Sequence, residues 1–231
     1  MATPEPVFTT PTSEENWVGA FFDVDNTLIP GPSTEVRFFR HLWKLGLIGL
    51  PQFLKSSWFL IKHMPPVSLG PLRRNKLYLV GQNPEVIEPL AKEFIQTTIC
   101  PRLSFRGGSV LSRHQREGHK IALISGSPEF LVVPLAEALG VSVVRAARLQ
   151  TAEHGYTGRV IAPLPYGPAK RRMLEELALQ YGLDLKRSYA YGDSPGDFQA
   201  LQAVGHPFVI NPIRGMARMA RQQGWPVSHW V

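Results

Sequence analysis

Residues 19–28 read GAFFDVDNTL, and this stretch decides the predicted fold. An apolar run from Gly19 to Phe22 ends in two carboxylates, Asp23 and Asp25, which are two residues apart. Side chains alternate between the faces of a strand, so residues two apart point to the same side. Two like charges on one side repel each other unless a cation lies nearby. The stretch therefore predicts either an acidic site that binds a cation or an ordinary Asp-rich turn.

Three further apolar runs also end in polar or glycine-containing turns. They are KIALISGS, SYAYGDS and HPFVINP, which begin at residues 120, 188 and 206. Helical patterns lie between the runs: EFLVVPLAEALG from Glu129 and AKRRMLEELALQYG from Ala169 both stop at a glycine. Strands that alternate with helices predict an α/β fold with a Rossmann-like, mostly parallel sheet flanked by helices. Ligands bind at the carboxyl ends of such strands, so we expect the polar turns to converge on one site.

Composition narrows the classes of protein. Of 231 residues, 44% are hydrophobic and 19% are charged, as in a globular domain with a sizeable core. Cys100 is the only cysteine, which excludes an intramolecular disulfide and a cysteine-rich metal site. Residues 1–16 lack the pattern of a signal peptide, and we expect a flexible N-terminal lead there. The sequence contains no run of 18 or more apolar residues, so we expect no membrane span. The single cysteine fits a cytoplasmic location.

The net charge of +7 is concentrated in one segment. Residues 36–84 contain no acidic residue and eight basic ones, so this segment carries +8 and the remainder −1. The interval after the first strand has no convincing strand, and glycines and prolines divide it into several helical patterns. We therefore expect a helical cap over residues 31–103, inserted into a catalytic core of residues 17–30 and 104–231. A second interruption, at residues 143–164, predicts strands and turns such as a small hairpin.

Each polar cluster has an ordinary structural explanation when it is taken alone. Ser127 would cap the helix after KIALI, Lys170 would be a surface lysine, and GDSPGD at 192–197 would be a turn with an Asp-capped helix. Four such clusters at successive strand ends favour one site instead. There, the Ser125 hydroxyl and the backbone N–H groups around Gly126 would hold phosphate oxygens at a helix start.

Four motifs of the sequence resemble, in order, those of the haloacid dehalogenase superfamily. They are DVDNT at residues 23–27, Ser125 after an apolar strand, Lys170, and GDSPGD at residues 192–197. The segments FFDVDNTL, ISGSPEFL, YTGR, YGPAK and AYGDSPGD further resemble subfamily IB, the phosphoserine-phosphatase-like branch, which carries a helical cap between the first two motifs. The resemblance runs from about Val18 to Pro226. It implies Mg²⁺-dependent hydrolysis of a phosphate monoester through an aspartyl-phosphate.

The resemblance also implies roles for the catalytic residues. Asp23 is the expected nucleophile, and Asp25 is the expected acid and base. Ser125, Gly126 and Lys170 are expected to bind the phosphate group, with the lysine offsetting the negative charge that gathers during attack.

The expected ligands of Mg²⁺ are oxygen atoms, which this ion prefers. They are the Asp23 carboxylate, the Asp25 backbone carbonyl and Asp193. Thr27 and Asp197 are expected to support the site, Thr27 by bracing its loop and Asp197 through water or by holding the metal ligands in place.

The expected partner is a phosphorylated small molecule or a lipid-like phosphate. Phosphoserine phosphatases read the serine amino group with an acidic residue shortly after the first motif; here residues 28–34 contain no acid, and the nearest is Glu35, which argues against phosphoserine. The cap mixes aromatic and basic residues. It is either a helical bundle with solvated lysines or a basic amphipathic face that contacts an anionic membrane peripherally.

Three other functions compete with a phosphatase. A phosphotransferase would pass the phosphoryl group from the same intermediate to another alcohol. A basic nucleic-acid-binding module fits the basic segment but leaves the aspartates unexplained, so no nucleic-acid partner is expected. A catalytically silent scaffold is disfavoured because every motif residue needed for catalysis is present.

Overall fold

The computed structural model describes residues 17–49, 75–161 and 163–231, and these form eight strands and seven α-helices. The strands are β1 (Gly19–Phe22), β2 (Lys120–Pro128), β3 (Val143–Ala147), β4 (Leu149–Ala152), β5 (Gly155–Val160), β6 (Tyr189–Gly192), β7 (His206–Ile210) and β8 (Val227–Ser228). Six of them make one sheet in the order β3-β2-β1-β6-β7-β8. Every pair in this sheet is parallel, so the predicted fold class is confirmed.

The helices lie on both faces of this sheet. They are α1 (Thr34–Lys44), α2 (Pro84–Phe94), α3 (Phe105–Arg116), α4 (Glu129–Ala138), α5 (Pro168–Tyr181), α6 (Phe198–Gln202) and α7 (Met216–Gln223). Side chains of Ser33, Asn83 and Ser104 accept hydrogen bonds from the first turns of α1, α2 and α3, which fixes where these helices begin. Helix α5 ends at Gly182 in the left-handed conformation, as its sequence predicts.

The central strands are buried on both faces. In β1, Phe22 packs into the core shared with α1, α2 and α3, whereas Phe21 packs on the other face beside Leu174 of α5. β2 alternates in the same way, with Leu123 on the first face and Ile124 on the second. Burial on two faces explains why these strands are continuous apolar runs in the sequence.

The insertion between β1 and β2 is helical where the structure describes it. It contains α1 and α2, a 3-10 turn at Leu77–Leu79, a π-helical turn at Ile95–Ile99 and a 3-10 turn at Cys100–Arg102, and α3 follows it in the predicted core. Residues 50–74 of the predicted cap and the predicted lead at 1–16 lie outside the described residues. Among the helices that are described, none has the length and apolar character needed to cross a membrane.

Strands β4 and β5 form a separate antiparallel hairpin, as expected for part of residues 143–164. The first five residues of that interval instead form β3, at the edge of the main sheet. Backbone hydrogen bonds join the hairpin to residues 76–81 of the insertion. The Lys76 N–H donates to the Gly158 carbonyl at 2.7 Å, and the Gly81 N–H donates to the Tyr156 carbonyl at 2.9 Å. The hairpin therefore supports the segment that carries Lys76.

Candidate functional site

The turn after β1 places two carboxylates at the carboxyl edge of the sheet. The Asp23 N–H continues the ladder by donating to the Tyr191 carbonyl at 2.9 Å. The chain then reverses, because the N–H groups of Leu28 and Ile29 both donate to the Val24 carbonyl at 3.0 Å. Asn26 has φ +59°, a left-handed conformation that asparagine tolerates better than most residues. The sequence DVDNT thus forms a tight loop that faces the ends of the neighbouring strands.

Lys170, in the first turn of α5, lies between two aspartates. Its ammonium donates to Asp23 Oδ1 at 2.6 Å and to Asp197 Oδ1 at 2.5 Å, and all three side chains are buried. Burial by itself lowers the pKa of Lys170, but the charges of Asp197 and Asp23 outweigh it and raise this pKa. The lysine therefore stays charged, although it occupies the end of a helix where the dipole disfavours a cation.

Asp197 organises the loop after β6. Its Oδ2 accepts from the N–H groups of Asp193 and Ser194 at 3.2 and 3.0 Å, and from the Ser194 hydroxyl at 2.9 Å. Burial raises the pKa of Asp197, but the Lys170 charge and these hydrogen bonds lower it more. Gly192 is required beside it, since a Cβ there would lie 2.5 Å from Cβ of Asp197. Both carboxylate oxygens of Asp197 are thus engaged by protein donors.

Asp25 is held at both oxygens. The Thr34 N–H, at the start of α1, donates to Oδ1 at 2.6 Å, and the Ser127 hydroxyl donates to Oδ2 at 2.6 Å. Ser127 is not the helix cap that its sequence position suggests, because α4 begins after Pro128 and Pro128 occupies the cap position. The contact between Asp25 and Ser127 was not predicted, since it joins residues 102 apart in the chain.

An asparagine pair connects the first loop to the loop after β7. Asn26 Nδ2 donates to Asp193 Oδ2 and to the Asn211 carbonyl, both at 2.9 Å, and Asn211 Nδ2 donates back to the Asn26 carbonyl at 2.8 Å. Asn211 also has positive φ, +43°. The sequence around Asn26 predicts only a turn there. The Asn-Pro pair at the end of HPFVINP, which contains Asn211, is typical of a turn and was the one local signal for this contact.

The predicted phosphate-binding residues line the same cleft as the aspartates. This cleft, of about 420 Å³, is bordered by Asp23, Asp25, Ser125, Gly126, Lys170, Asp193 and Asp197. Ser125 accepts from the Ser127 N–H at 3.2 Å. Thr27 does not line the cleft; its side chain is fully buried, and its hydroxyl has no hydrogen-bond partner among the described residues. The bracing role of Thr27 remains a prediction.

The charges of the site fit a divalent cation. Carboxylate oxygens of Asp23, Asp193 and Asp197 lie within 4.8 Å of one another, and all three residues are buried. With all three carboxyl groups ionised, the cluster would carry two negative charges more than the ammonium of Lys170 offsets. Burial and the neighbouring carboxylates raise the pKa of Asp23 well above its usual range, and burial and Asp197 raise the pKa of Asp193 to about 7. An all-oxygen donor set with this excess charge suits Mg²⁺.

A buried ion pair closes another side of the cleft. Glu35, in the first turn of α1, pairs with Lys76, which immediately precedes the 3-10 turn at Leu77–Leu79, and both line the cleft. The Lys76 side chain is 6% exposed and that of Glu35 is 19% exposed. The acidic residue nearest the first motif is therefore at the site but is engaged by a lysine.

The sequence and the fold are both similar to those of known proteins. The family model for haloacid dehalogenase-like hydrolases matches residues 20–202. The inhibition of morphological differentiation protein of Streptomyces azureus is 32% identical over 214 residues, covering 90% of this chain and 76% of that protein. A phosphoserine phosphatase of Mycobacterium tuberculosis is 28% identical over 218 residues, covering 90% and 69%. A Bordetella pertussis protein of unknown function has a crystal structure that matches with a TM-score of 0.78 at 25% identity, covering 92% and 98%.

Proposed function

Because the chain belongs to the haloacid dehalogenase-like hydrolases, we propose that it is an Mg²⁺-dependent phosphatase that acts through an aspartyl-phosphate. The observation that carries this proposal is the position of Asp23. Its carboxylate lies in the cleft, its Oδ1 is paired with Lys170, and Asp25 lies two residues further along the same loop. A carboxylate held beside a buried ammonium is suited to attack an anionic phosphate, since the lysine offsets the repulsion between the two anions.

Each residue has a defined part in the reaction. Asp23 attacks phosphorus, the bond between phosphorus and the ester oxygen breaks, and Asp25 gives a proton to the departing alcohol. Asp25 then takes a proton from a water molecule, which attacks the phosphorus, breaks the bond to Asp23 and releases phosphate. Ser125, the Gly126 N–H and Lys170 hold the phosphate oxygens during both steps.

The residues that would hold Mg²⁺ are Asp23, through its carboxylate, Asp25, through its backbone carbonyl, and Asp193. When bound, the ion supplies positive charge that stabilises the phosphate oxygens. Asp197 would support this set without binding the ion directly, because its oxygens are engaged by Lys170 and by the loop of residues 193–194.

The proposed substrate is a phosphorylated small molecule other than phosphoserine. Glu35 lines the cleft, but its carboxylate is paired with Lys76. A substrate amine would therefore have to compete with a buried lysine for this acid. A panel of phosphoamino acids, sugar phosphates, phosphocholine, nucleotides and lysophospholipid phosphates, assayed for phosphate release, tests the substrate class.

Two variants test the mechanism. We expect Asp23→Asn to abolish turnover, and Asp25→Asn to allow some phosphorylation of the protein with little product. Asp184→Asn, which changes an aspartate outside the cleft, is the control. EDTA should silence the wild type and Mg²⁺ should restore it. Substantial phosphate release by Asp23→Asn, or release that is insensitive to EDTA, would overturn the proposal, and a phosphorylated alcohol among the products would identify a phosphotransferase instead.

A further inference from the structure

The C-terminal end of α3 brings two histidines together. The His119 N–H donates to the His114 carbonyl at 3.0 Å, the Gly118 N–H donates to the Gln115 carbonyl at 3.1 Å, and Gly118 has φ +71°. This is the Schellman arrangement, in which the residues at its two ends place their side chains in contact. Those positions are usually apolar, but here both are histidines. Glu117 lies between them in the chain, so the sequence HQREGH places three metal-binding side chains on one helix end.

From this arrangement we propose a second metal site, in which His114, Glu117 and His119 bind Zn²⁺ or a similar borderline divalent ion. The two Nδ1 atoms are 2.7 Å apart, and Oε2 of Glu117 is 3.6 Å from Nδ1 of His119. One donor atom from each residue lies within 4.8 Å of the others. Ligands about 2.1 Å from a tetrahedral zinc ion are roughly 3.3 Å from each other, so small side-chain movements would suffice.

The surroundings hold the His114 ring in a metal-binding orientation. The ring is buried, and its Nε2 lies 2.8 Å from the Tyr191 hydroxyl. An ion on Nδ1 would place the proton on Nε2, where it donates to that hydroxyl, and such outer hydrogen bonds are typical of metal-bound histidines. Phe22 packs edge-on against the same ring, and Tyr189 contacts it at 4.8 Å between centroids.

Electrostatics also bear on this site. The carbonyl end of α3 favours a cation. Burial, His119 and Arg113 lower the pKa of His114, and burial, Arg113 and Arg187 lower the pKa of His119 although Glu117 raises it. Arg113 competes with an ion for Glu117, but its Nε is 3.8 Å from Oε1, which leaves Oε2 towards His119.

The donor set distinguishes this site from the acidic cluster. Two imidazole nitrogens and one carboxylate suit zinc, whereas Mg²⁺ prefers oxygen ligands. The two donor sets share no residue: His119 precedes the first residue of β2, whereas Ser125 of the cleft is roughly 17 Å further along that strand. A bound ion would connect the end of α3 to β6 through Tyr191, which predicts a stabilising rather than a catalytic role.

Zinc titration of the chelator-treated protein by calorimetry tests the proposal. We expect one Zn²⁺ per chain in the Asp23→Asn/Asp193→Asn variant, which lacks two carboxylates of the acidic cluster. In that background, His119→Gln and Glu117→Gln should each weaken zinc binding at least about tenfold. His206→Gln is the matched control, because His206 also stacks on Tyr189 but is outside the cluster.

Further readouts separate a metal site from a hydrogen-bonded histidine pair. Zn²⁺ should raise the melting temperature of the background variant and of its His206→Gln form, but not of the His119→Gln form. Co²⁺ should give the intense visible bands of a four-coordinate site. Zinc binding unchanged by both ligand variants, or zinc binding that disappears with the two aspartates, would overturn the proposal. Glu117 is exposed, so its variant keeps the test valid if the histidine variant fails to fold.

Discussion

At the scale of single residues, Ser127 contacts the proposed acid and base, Asp25, directly. Its hydroxyl donates to Asp25 Oδ2 at 2.6 Å, and Ser127 itself is 3% exposed. A buried hydrogen bond to a carboxylate contributes roughly 1.5–3 kcal/mol, and it also fixes the direction in which the carboxylate points. Ser127 can keep this contact in both halves of the reaction, because a hydroxyl donates to an ionised carboxylate and accepts from a protonated one.

We therefore expect Ser127→Ala to lower kcat about 10- to 100-fold while KM changes little. Ser127→Thr keeps a hydroxyl and should recover part of the loss. Ser109→Ala serves as the control, because that hydroxyl bonds to the Phe105 carbonyl on the exposed side of α3. Steady-state kinetics with the best substrate of the panel measures the effect. A normal kcat, or a loss confined to KM, would contradict the positioning role.

Asn26 gives a second prediction at this scale. Its amide donates to Asp193 and to the loop after β7, so it orients a proposed metal ligand without binding the metal. Loss of such an outer contact typically weakens metal binding 10- to 100-fold. Asn26→Ala should raise the Mg²⁺ concentration for half-maximal activity at least about tenfold, whereas Asn83→Ala, which removes the cap of α2, should not. An unchanged Mg²⁺ requirement would show that Asp193 is held by other contacts.

The predicted site residues are marked by local sequence patterns, whereas the missed contacts join segments that are far apart in the chain. Asp23, Lys170 and Asp193 each follow or begin an element whose pattern is visible locally, so their convergence follows from the parallel sheet. The contact between Ser127 and Asp25, and the pair of Asn26 with Asn211, depend on backbone conformations and on side-chain directions across strands. Packing between distant segments determines these conformations and directions, so they cannot be predicted from local patterns in a single sequence.

At the scale of elements, the same contrast separates β2 from β3. The apolar run of β2 is long and ends at a polar turn, so it predicts a buried strand. β3 is five residues, VVRAA, followed after one residue by the hairpin strand β4, and the sequence of residues 143–164 predicts only strands and turns such as a small hairpin. Only its pairing with β2 shows that it belongs to the sheet.

The contact between the hairpin and residues 76–82 of the insertion leads to a prediction at this scale. A Cβ on Gly155 would lie 2.3 Å from the Gln82 carbonyl oxygen, and Gly155 has φ +101°. Gly182 also has positive φ, +62°, but nothing lies within 4 Å of a Cβ there. Gly182→Ala should therefore lower the free energy of unfolding by about 1 kcal/mol, the backbone cost alone. Gly155→Ala should lower it further, because the hairpin must move from the insertion.

Denaturant unfolding of both variants measures this difference. Because the hairpin supports the segment that carries Lys76, Gly155→Ala should also raise KM, while Gly182→Ala should leave KM unchanged. Equal losses of stability in the two variants would show that the contact with Gln82 adjusts without cost. Equal KM values would show that the hairpin does not position the cleft.

At the scale of the whole molecule, the distribution of charge is uneven. Residues 36–84 carry +8 and the remainder carries −1. The structure removes Lys76 from the surface, since it is buried against Glu35, but it leaves Arg40 and Lys44 exposed on α1. Val36 and Trp43 of α1 and Leu45, the residue just after it, are also exposed, at 43%, 45% and 50%. Exposed apolar and basic side chains on one helix are the features of a peripheral membrane contact.

The membrane hypothesis therefore predicts binding to vesicles that contain anionic lipid, but not to neutral vesicles, with a loss at high salt. Each basic residue near an anionic surface contributes about 1 kcal/mol, so Arg40→Gln/Lys44→Gln should weaken binding roughly 30-fold. Arg218→Gln/Arg221→Gln removes the same charge from exposed positions of α7 and should have little effect. Co-sedimentation measures all three proteins. Equal weakening by the two pairs would indicate attraction by net charge alone, and no binding by the wild type would leave the basic segment as a solvated helical surface.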